Sequence, residues 1–343
     1  PIETATFIDG LTRIIQVKKD IAVYEGDGAD GQSVEKMQVS GRLKFDAFGR
    51  TIESYYPVTE DNDPNLIGVF NPEQDAVAPT LTTYDVRDRM LTVTLPDSAV
   101  TSTAYSFGND RDGNQQFLTT VTDANGIERK TFTNVRGLTT AVKDPLNIWT
   151  SYGHNAINEL TEVQDDQGNK IISEYDLLGR RISVTHPDAG KTTLEYDNAG
   201  NLIRKQTANL RALDSINYFI EYVYDKERLT EIHYPIDTTL DVFIEYGASG
   251  DPDLAAGRVK RQYDATGSQT FTYGLLGEVI KIDRSIKIIE GRGAETFVTR
   301  FQYDTWNRLL GMVYPDGDKV YYDYNEGGLV NKVTSYKEGL EYP

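Results

Sequence analysis

Three histidines, His154, His186 and His233, are the only imidazoles in this 343-residue chain, and they lie 32 and 47 residues apart. No two share the short helical spacing that sets a pair of rings on one metal. With Cys 0, thiol nucleophiles, thiolate metal sites and disulfides all drop out. No Gly-x-Ser-x-Gly elbow supports a Ser-His-Asp triad. Asp61, Asp63 and Asn65 occupy the first three alternating ligand positions of a calcium loop. Its sixth position is Leu66 rather than Gly and its twelfth is Pro72 rather than Glu, so the loop fails twice. Asp110-Arg111-Asp112-Gly113 reads as a turn. The chain has 53 Asp and Glu residues, enough for carboxylate pairs to fall at glycosidase separation by accident, so their abundance singles out no site.

The residues that recur at a fixed spacing are Tyr, Asp, Gly, Arg and Pro. Tyr175–Tyr196 and Tyr303–Tyr324 align without gaps with 7 of 22 positions identical, each block stepping 21 residues from Tyr to Tyr. The start recurs at Phe45-Asp46, Tyr84-Asp85, Tyr196-Asp197, Tyr224-Asp225 and Tyr263-Asp264. Eight aromatic-Asp pairs occur where chance predicts about three. Four of them, starting at Phe45, Tyr84, Tyr175 and Tyr303, carry Arg five residues on, at Arg50, Arg89, Arg180 and Arg308.

These positions dictate the elements around them. Asp46, Asp85, Asp176 and Asp304 can accept backbone N–H bonds within a turn, and Gly49 and Gly179 can take positive φ. Pro187-Asp188 and Pro315-Asp316 close a second turn in their repeats. Ile182 and Val184, then Thr192, Leu194 and Tyr196, alternate at period two between the turns. Each repeat of about 21 residues is therefore an antiparallel hairpin. A lone hairpin is marginal in water, so about a dozen in tandem must pair into one twisting, all-β strip. Residues 57–83, with Pro57, Pro64, Pro72 and Pro79, interrupt the period as a loop insert. Residues 284–295 form a shorter insert, and Gly26 to Gly31 a flexible loop tip. The expected organisation is one solenoid-like domain over residues 1–343.

The net charge of −18 and pI near 4.6 argue against nucleic acid and anionic lipid, which demand a basic footprint. No window approaches the roughly 18 apolar residues of a membrane helix, and the first ten residues lack a signal-peptide pattern. The chain begins at Pro1, as expected for a fragment.

The repeats resemble the Tyr-Asp repeats of bacterial RHS proteins and the related toxin-complex C components and teneurins. The match is carried by Tyr175, Asp176, Gly179, Arg180, Pro187, Asp188 and Tyr196, with looser support from Phe7 to Arg13 and Thr139 to Trp149. The resemblance implies a strip of hairpins coiled into part of a hollow, cocoon-like shell around a C-terminal toxin or effector. It implies a non-catalytic, secreted or cell-surface segment of a larger bacterial protein. The implied partners are the remaining repeats, the enclosed effector and a delivery machinery. Such shells often end with a self-cleavage motif of Asp-Pro followed by Gly-Leu. Asp144-Pro145 and Asp251-Pro252 lack the Gly-Leu, so neither protease nor toxin is expected here.

No catalytic, metal or cofactor residue is assigned. The repeat Tyr and Asp residues could instead present rings and carboxylates to a glycan, as in an adhesion module. Packing is the simpler reading, with each Tyr stacked on its neighbour in the next hairpin and each Asp capping its own turn. Trp149 and Trp306 read as core anchors. A parallel β-helix acting on polysaccharide is the third reading, disfavoured by two turn signals per repeat rather than three.

Overall fold

The computed structural model describes all residues except 1–2, 26–31, 215, 288–292, 326–327, 338–339 and 343. The glycine-rich tip Gly26 to Gly31 thus lies outside the described residues. Strands take 55% of the chain, and its α-helix, Ala208–Leu213, is six residues long. Every ladder between named strands is antiparallel, the arrangement that tight Asp-Gly turns permit and that a parallel β-helix cannot have.

Two compact units emerge. In residues 101–244 the chain is a plain meander, each strand pairing with the next from Val100–Asn109 through to Val242–Tyr246. The other unit joins residues 1–100 to 245–343. It contains a second meander, from Val259–Asp264 to Leu340–Tyr342. It also contains the strands β1 (Thr4–Ile8), β2 (Ile14–Glu25), β3 (Gln32–Val39), β4 (Leu43–Phe45), β5 (Thr51–Ser54), β6 (Val58–Asp61), β7 (Thr80–Tyr84) and β8 (Met90–Thr94). Of these, β4, β5, β7 and β8 pair in hairpin order. A separate four-stranded sheet runs β1-β2-β3-β6.

One irregularity recurs on the period. Where the repeat aromatic precedes its turn, the register skips a residue: Glu174 faces Ser183 but Tyr175 faces Arg181. The same skip falls at Phe45, Tyr84, Tyr196, Tyr224, Tyr273, Tyr303 and Tyr324. A bulge of this kind bends the strand and increases local twist, so the repeat carries its own curvature.

Two expectations are corrected. The stretch 57–83 is not loop throughout: Val58–Asp61 forms β6 against β3, and Thr80 already belongs to β7. Val58-Thr59-Glu60-Asp61 can pair because the prolines stand outside it, leaving the true loop at residues 62–79. The insert 284–295 is likewise pared at both ends, because the hairpin extends until Ile286 faces Glu295. Its centre, 288–292, lies outside the described residues.

The layer is thin. The chain exposes 20904 Å², against about 14,000 Å² for a compact monomer of its mass. Among the described residues, fully buried apolar side chains are few: Ile21, Met37, Val39 and Ala255 in one unit, Phe132 and Ala141 in the other. Stability here must come chiefly from the ladder and from what joins one hairpin to the next.

Candidate functional site

The joint is built on the repeat turn. Asp176 N–H donates to the Arg180 carbonyl at 2.9 Å, and Gly179 N–H donates back to the Asp176 carbonyl at 3.0 Å. The Asp176 carboxylate then fills the loop: Oδ1 accepts from Leu178 N–H and Arg180 N–H, both at 2.9 Å, and Oδ2 accepts from Arg180 Nε at 2.7 Å. Gly179 sits at φ 77°, where a Cβ is strained. The construction repeats at Asp46/Arg50, Asp85/Arg89 and Asp304/Arg308, with Asp Oδ2 to Arg Nε distances of 2.7, 2.8 and 2.7 Å. The backbone N–H of Arg180, followed by its side chain, holds the Asp176 carboxyl below the ordinary carboxylate range.

The arginine then reaches out of its own turn. Arg180 Nη1 donates to the Asp197 carbonyl in the next repeat at 2.7 Å, and its guanidinium lies 5.1 Å from the Tyr196 ring centre. Arg50 does the same to the Asp85 carbonyl at 2.9 Å and to Tyr84 at 5.0 Å. Arg308 covers Tyr324 at 4.4 Å. The repeat tyrosine ties in the opposite direction. Its hydroxyl donates to a carbonyl of the preceding hairpin: Tyr84 to Thr51, Tyr175 to Leu160, Tyr196 to Arg181, Tyr224 to Leu202, Tyr303 to Val279 and Tyr324 to Leu309, at 2.7 to 3.2 Å. Each aromatic is thus pinned by its hydroxyl backwards, and where the arginine is present its face is covered from the turn before. This guanidinium cover is absent from the sequence reading, which put a neighbouring tyrosine ring there.

Residues 174–212, the stretch containing this joint, match the family model described as RHS Repeat. The wider chain is similar in sequence to two bacterial toxins. Over 112 residues it is 31% identical to "Double-stranded DNA deaminase toxin A" of Burkholderia cenocepacia, and over 194 residues 23% identical to "Toxin protein Tse5" of Pseudomonas aeruginosa. Those matches cover 32% and 55% of this chain but only 8% and 13% of the two toxins. The fold is that of solved toxin-complex chains. The TcdB2-TccC3 structure matches 99% of this chain with TM-score 0.51 and 17% identity, over 19% of its own length. The Photorhabdus luminescens Tc holotoxin pore matches the same 99%, with TM-score 0.50 and 16% identity, over 18% of its length.

The remaining repeat positions are variations on the joint. At Asp197 the arginine is replaced by Asn201, whose side chain donates to Asp197 at 3.0 Å and reaches the Lys226 carbonyl at 3.2 Å. Asp225 pairs with Arg228, and Asp264 accepts from Thr266 and Gly267, in tighter turns where the Arg spacing is lost. Arg261 covers Tyr263 at 4.7 Å. Asp188 is exposed; its N–H donates to His186 Nδ1 at 3.2 Å in the turn after Pro187. Asp316, after Pro315, accepts from Asp318 N–H at 3.1 Å.

Phe7 to Arg13, which the sequence gives only as looser support, holds a further copy of the joint: Asp9 accepts from Leu11 N–H, Arg13 N–H and Arg13 Nε, while Arg13 covers Phe45 at 4.4 Å. Ile8 stands where the aromatic would be, but Asp and Arg keep their separation of four. Asp61 pairs with Lys36, and Asp63 closes a turn onto Asn65. Asp110 accepts from Asp112 and Asn114 N–H as a turn residue. Trp306 lies flat on Tyr56, with centroids 4.0 Å apart and planes 6° apart, and Trp149 tilts against Phe132 at 5.2 Å. His233 is clamped between Asp241 at 2.8 Å and Glu231 at 3.0 Å, a pairing no period marks.

Proposed function

We propose that this chain is a length of wall in a larger bacterial RHS-type toxin, a non-catalytic strip of hairpin repeats that encloses and protects a C-terminal toxin or effector. The segment acts as one domain over residues 1–343, with inserts within 57–83 and 284–295. Its partners are the flanking RHS repeats of the parent chain, the enclosed effector and the machinery that delivers them, and it is secreted or surface-borne as part of that parent. The observation that carries this reading is a sheet with little core of its own, whose successive hairpins are tied by Arg180 to Asp197 and Tyr196 and by Arg50 to Asp85 and Tyr84. A globular binding domain would bury its mass. A wall must instead span area, offer proteases few unpaired backbone segments, and survive the loss of any one contact. The charge of −18 keeps so much exposed sheet soluble.

Limited proteolysis of the full-length parent tests it. The C-terminal region should survive trypsin while the repeats remain folded, and be digested once urea opens them. Equal cleavage of that region in the folded parent and as an isolated fragment would overturn enclosure.

A further inference from the structure

The strand Glu295–Tyr303 is paired along one edge from Glu295, facing Ile286, to Arg300, facing Lys281. On the other edge only Arg300 to Tyr303 are paired, with the strand Leu309–Val313, because that partner turns away at Tyr314. Among the described residues, Glu295 to Thr299 therefore present one free row of backbone donors and acceptors. Beside them lies a cavity of about 770 Å³, whose apolar lining includes Phe297, Tyr314, Pro315, Val320 and Tyr336. Tyr336 is braced edge-on by Tyr321 at 5.7 Å.

We infer that this notch binds an extended polypeptide segment by strand addition, with one large apolar side chain of the segment seated between Phe297, Tyr314 and Tyr336. The two halves of the site select the same occupant. A free strand edge is satisfied by extended backbone, whereas a helix has already used its own donors. Side chains alternate along such a strand, so one of every two faces the cavity. Its volume suits a Phe or Leu side chain with its neighbours rather than a whole folded element. Asp316 in the lining favours a basic residue beside that apolar side chain, while Lys337 there already faces Asp318 at 3.6 Å. The inference does not depend on enclosure: it concerns the edge and cavity alone, and an enclosed, unfolded effector is one chain that would offer such a segment.

The test uses the 343-residue chain and a fluorescein-labelled, end-blocked peptide of sequence Lys-Thr-Val-Phe-Thr-Lys. Anisotropy should show saturable binding. Replacing the peptide's Phe by Ala, or methylating its backbone nitrogens, should each weaken binding by about tenfold or more. Tyr314→Ala should weaken it similarly and Tyr314→Phe should not; Tyr314 is 39% exposed, so neither change threatens the fold. No saturation, or a methylated peptide binding as well as the parent peptide, would overturn strand addition. Concentration-dependent self-association lost in Tyr314→Ala would overturn it too, by assigning the edge to a second copy of the chain.

Discussion

The repeat array and the four-stranded sheet β1-β2-β3-β6 hold themselves together in opposite ways. In the array the ties are local and repeated, each joining residues four apart or one hairpin apart, and most are half-exposed. In the sheet, β2 turns Gln16, Lys18 and Asp20 into a buried polar row alongside the fully buried Ile21, Met37 and Val39. The partners of that row come from far along the chain. Gln16 exchanges bonds with Asn71 at 2.7 and 2.9 Å, Lys18 meets Glu60 and the Leu66 carbonyl, and Asp20 accepts from Glu3 N–H at 2.7 Å. Phe7 packs edge-on against Phe70 at 5.8 Å. The array spreads its stability over many equivalent joints, while the sheet concentrates it in one set of non-repeated contacts under the loop 62–79.

The largest expected effect breaks the concentrated side. Lys18 is 1% exposed, so Lys18→Ala strands the Glu60 carboxylate and should cost about 3–5 kcal/mol, read as an earlier denaturation transition. The paired change Lys18→Met with Glu60→Gln removes both charges and should recover part of that loss. A cost below about 1 kcal/mol for Lys18→Ala would mean that the row is not structurally coupled to the sheet.

On the distributed side single changes should be milder. Gly179→Val places a β-branched residue at φ 77° and should cost about 1–3 kcal/mol. Asn158, at φ 72° in an equivalent turn, offers the reverse experiment, since Asn158→Gly should leave stability unchanged or slightly raised. Arg180→Ala comes next at about 1–2 kcal/mol, combining the lost bonds to Asp176 and Asp197 with the lost cover on Tyr196. Arg180→Lys should rescue little of it, because a point charge has neither the Nε fork nor the flat face. Full rescue by Lys would show that charge alone holds the joint.

The same contrast explains what could be read from the sequence. The turn, its Asp acceptor, its positive-φ glycine and the alternation of Ile182, Val184 and Leu194 lie within a few residues of one another and recur, so the period exposes them. The guanidinium cover joins Arg180 to Tyr196 across a hairpin, and its constancy of spacing was visible while its geometry was not. The first copy, Asp9/Arg13, is legible only as a loose match within Phe7 to Arg13, because Ile8 and Thr12 stand where the aromatic and the glycine of the repeat would be. The row Gln16-Lys18-Asp20 was illegible because its partners stand 17 to 55 residues away with no repeat to pair them. Val58–Asp61 was read as loop for the same reason: four residues among prolines become a strand only because β3 offers an edge.

The smallest effect separates the two kinds of contact by the sign of their pH dependence. Repeat-turn carboxylates lie below their ordinary values, Asp176 through Arg180 N–H and Asp197 through the Asn201 side chain. Their contribution is therefore present above about pH 3.8 and lost as pH falls through the lower folded values. His233 behaves oppositely. Its hydrogen bond to Asp241, with Asp241 and Glu231 charges adding, raises its pKa above 6.5 against some desolvation. Across the ladder it faces Glu221, which Arg204 already pairs. With both ring nitrogens donating, the imidazolium ties Glu231 to Asp241 and so closes the crossing 234–240. That tie is complete below about pH 6.5 and is lost as pH rises through the raised folded value. Amide exchange of Thr239 and Leu240 should therefore accelerate as pH rises above 6.5, beyond the intrinsic hydroxide dependence, while the repeat turns show no such excess. His233→Gln should abolish the excess; its persistence in that variant would assign the opening to another group.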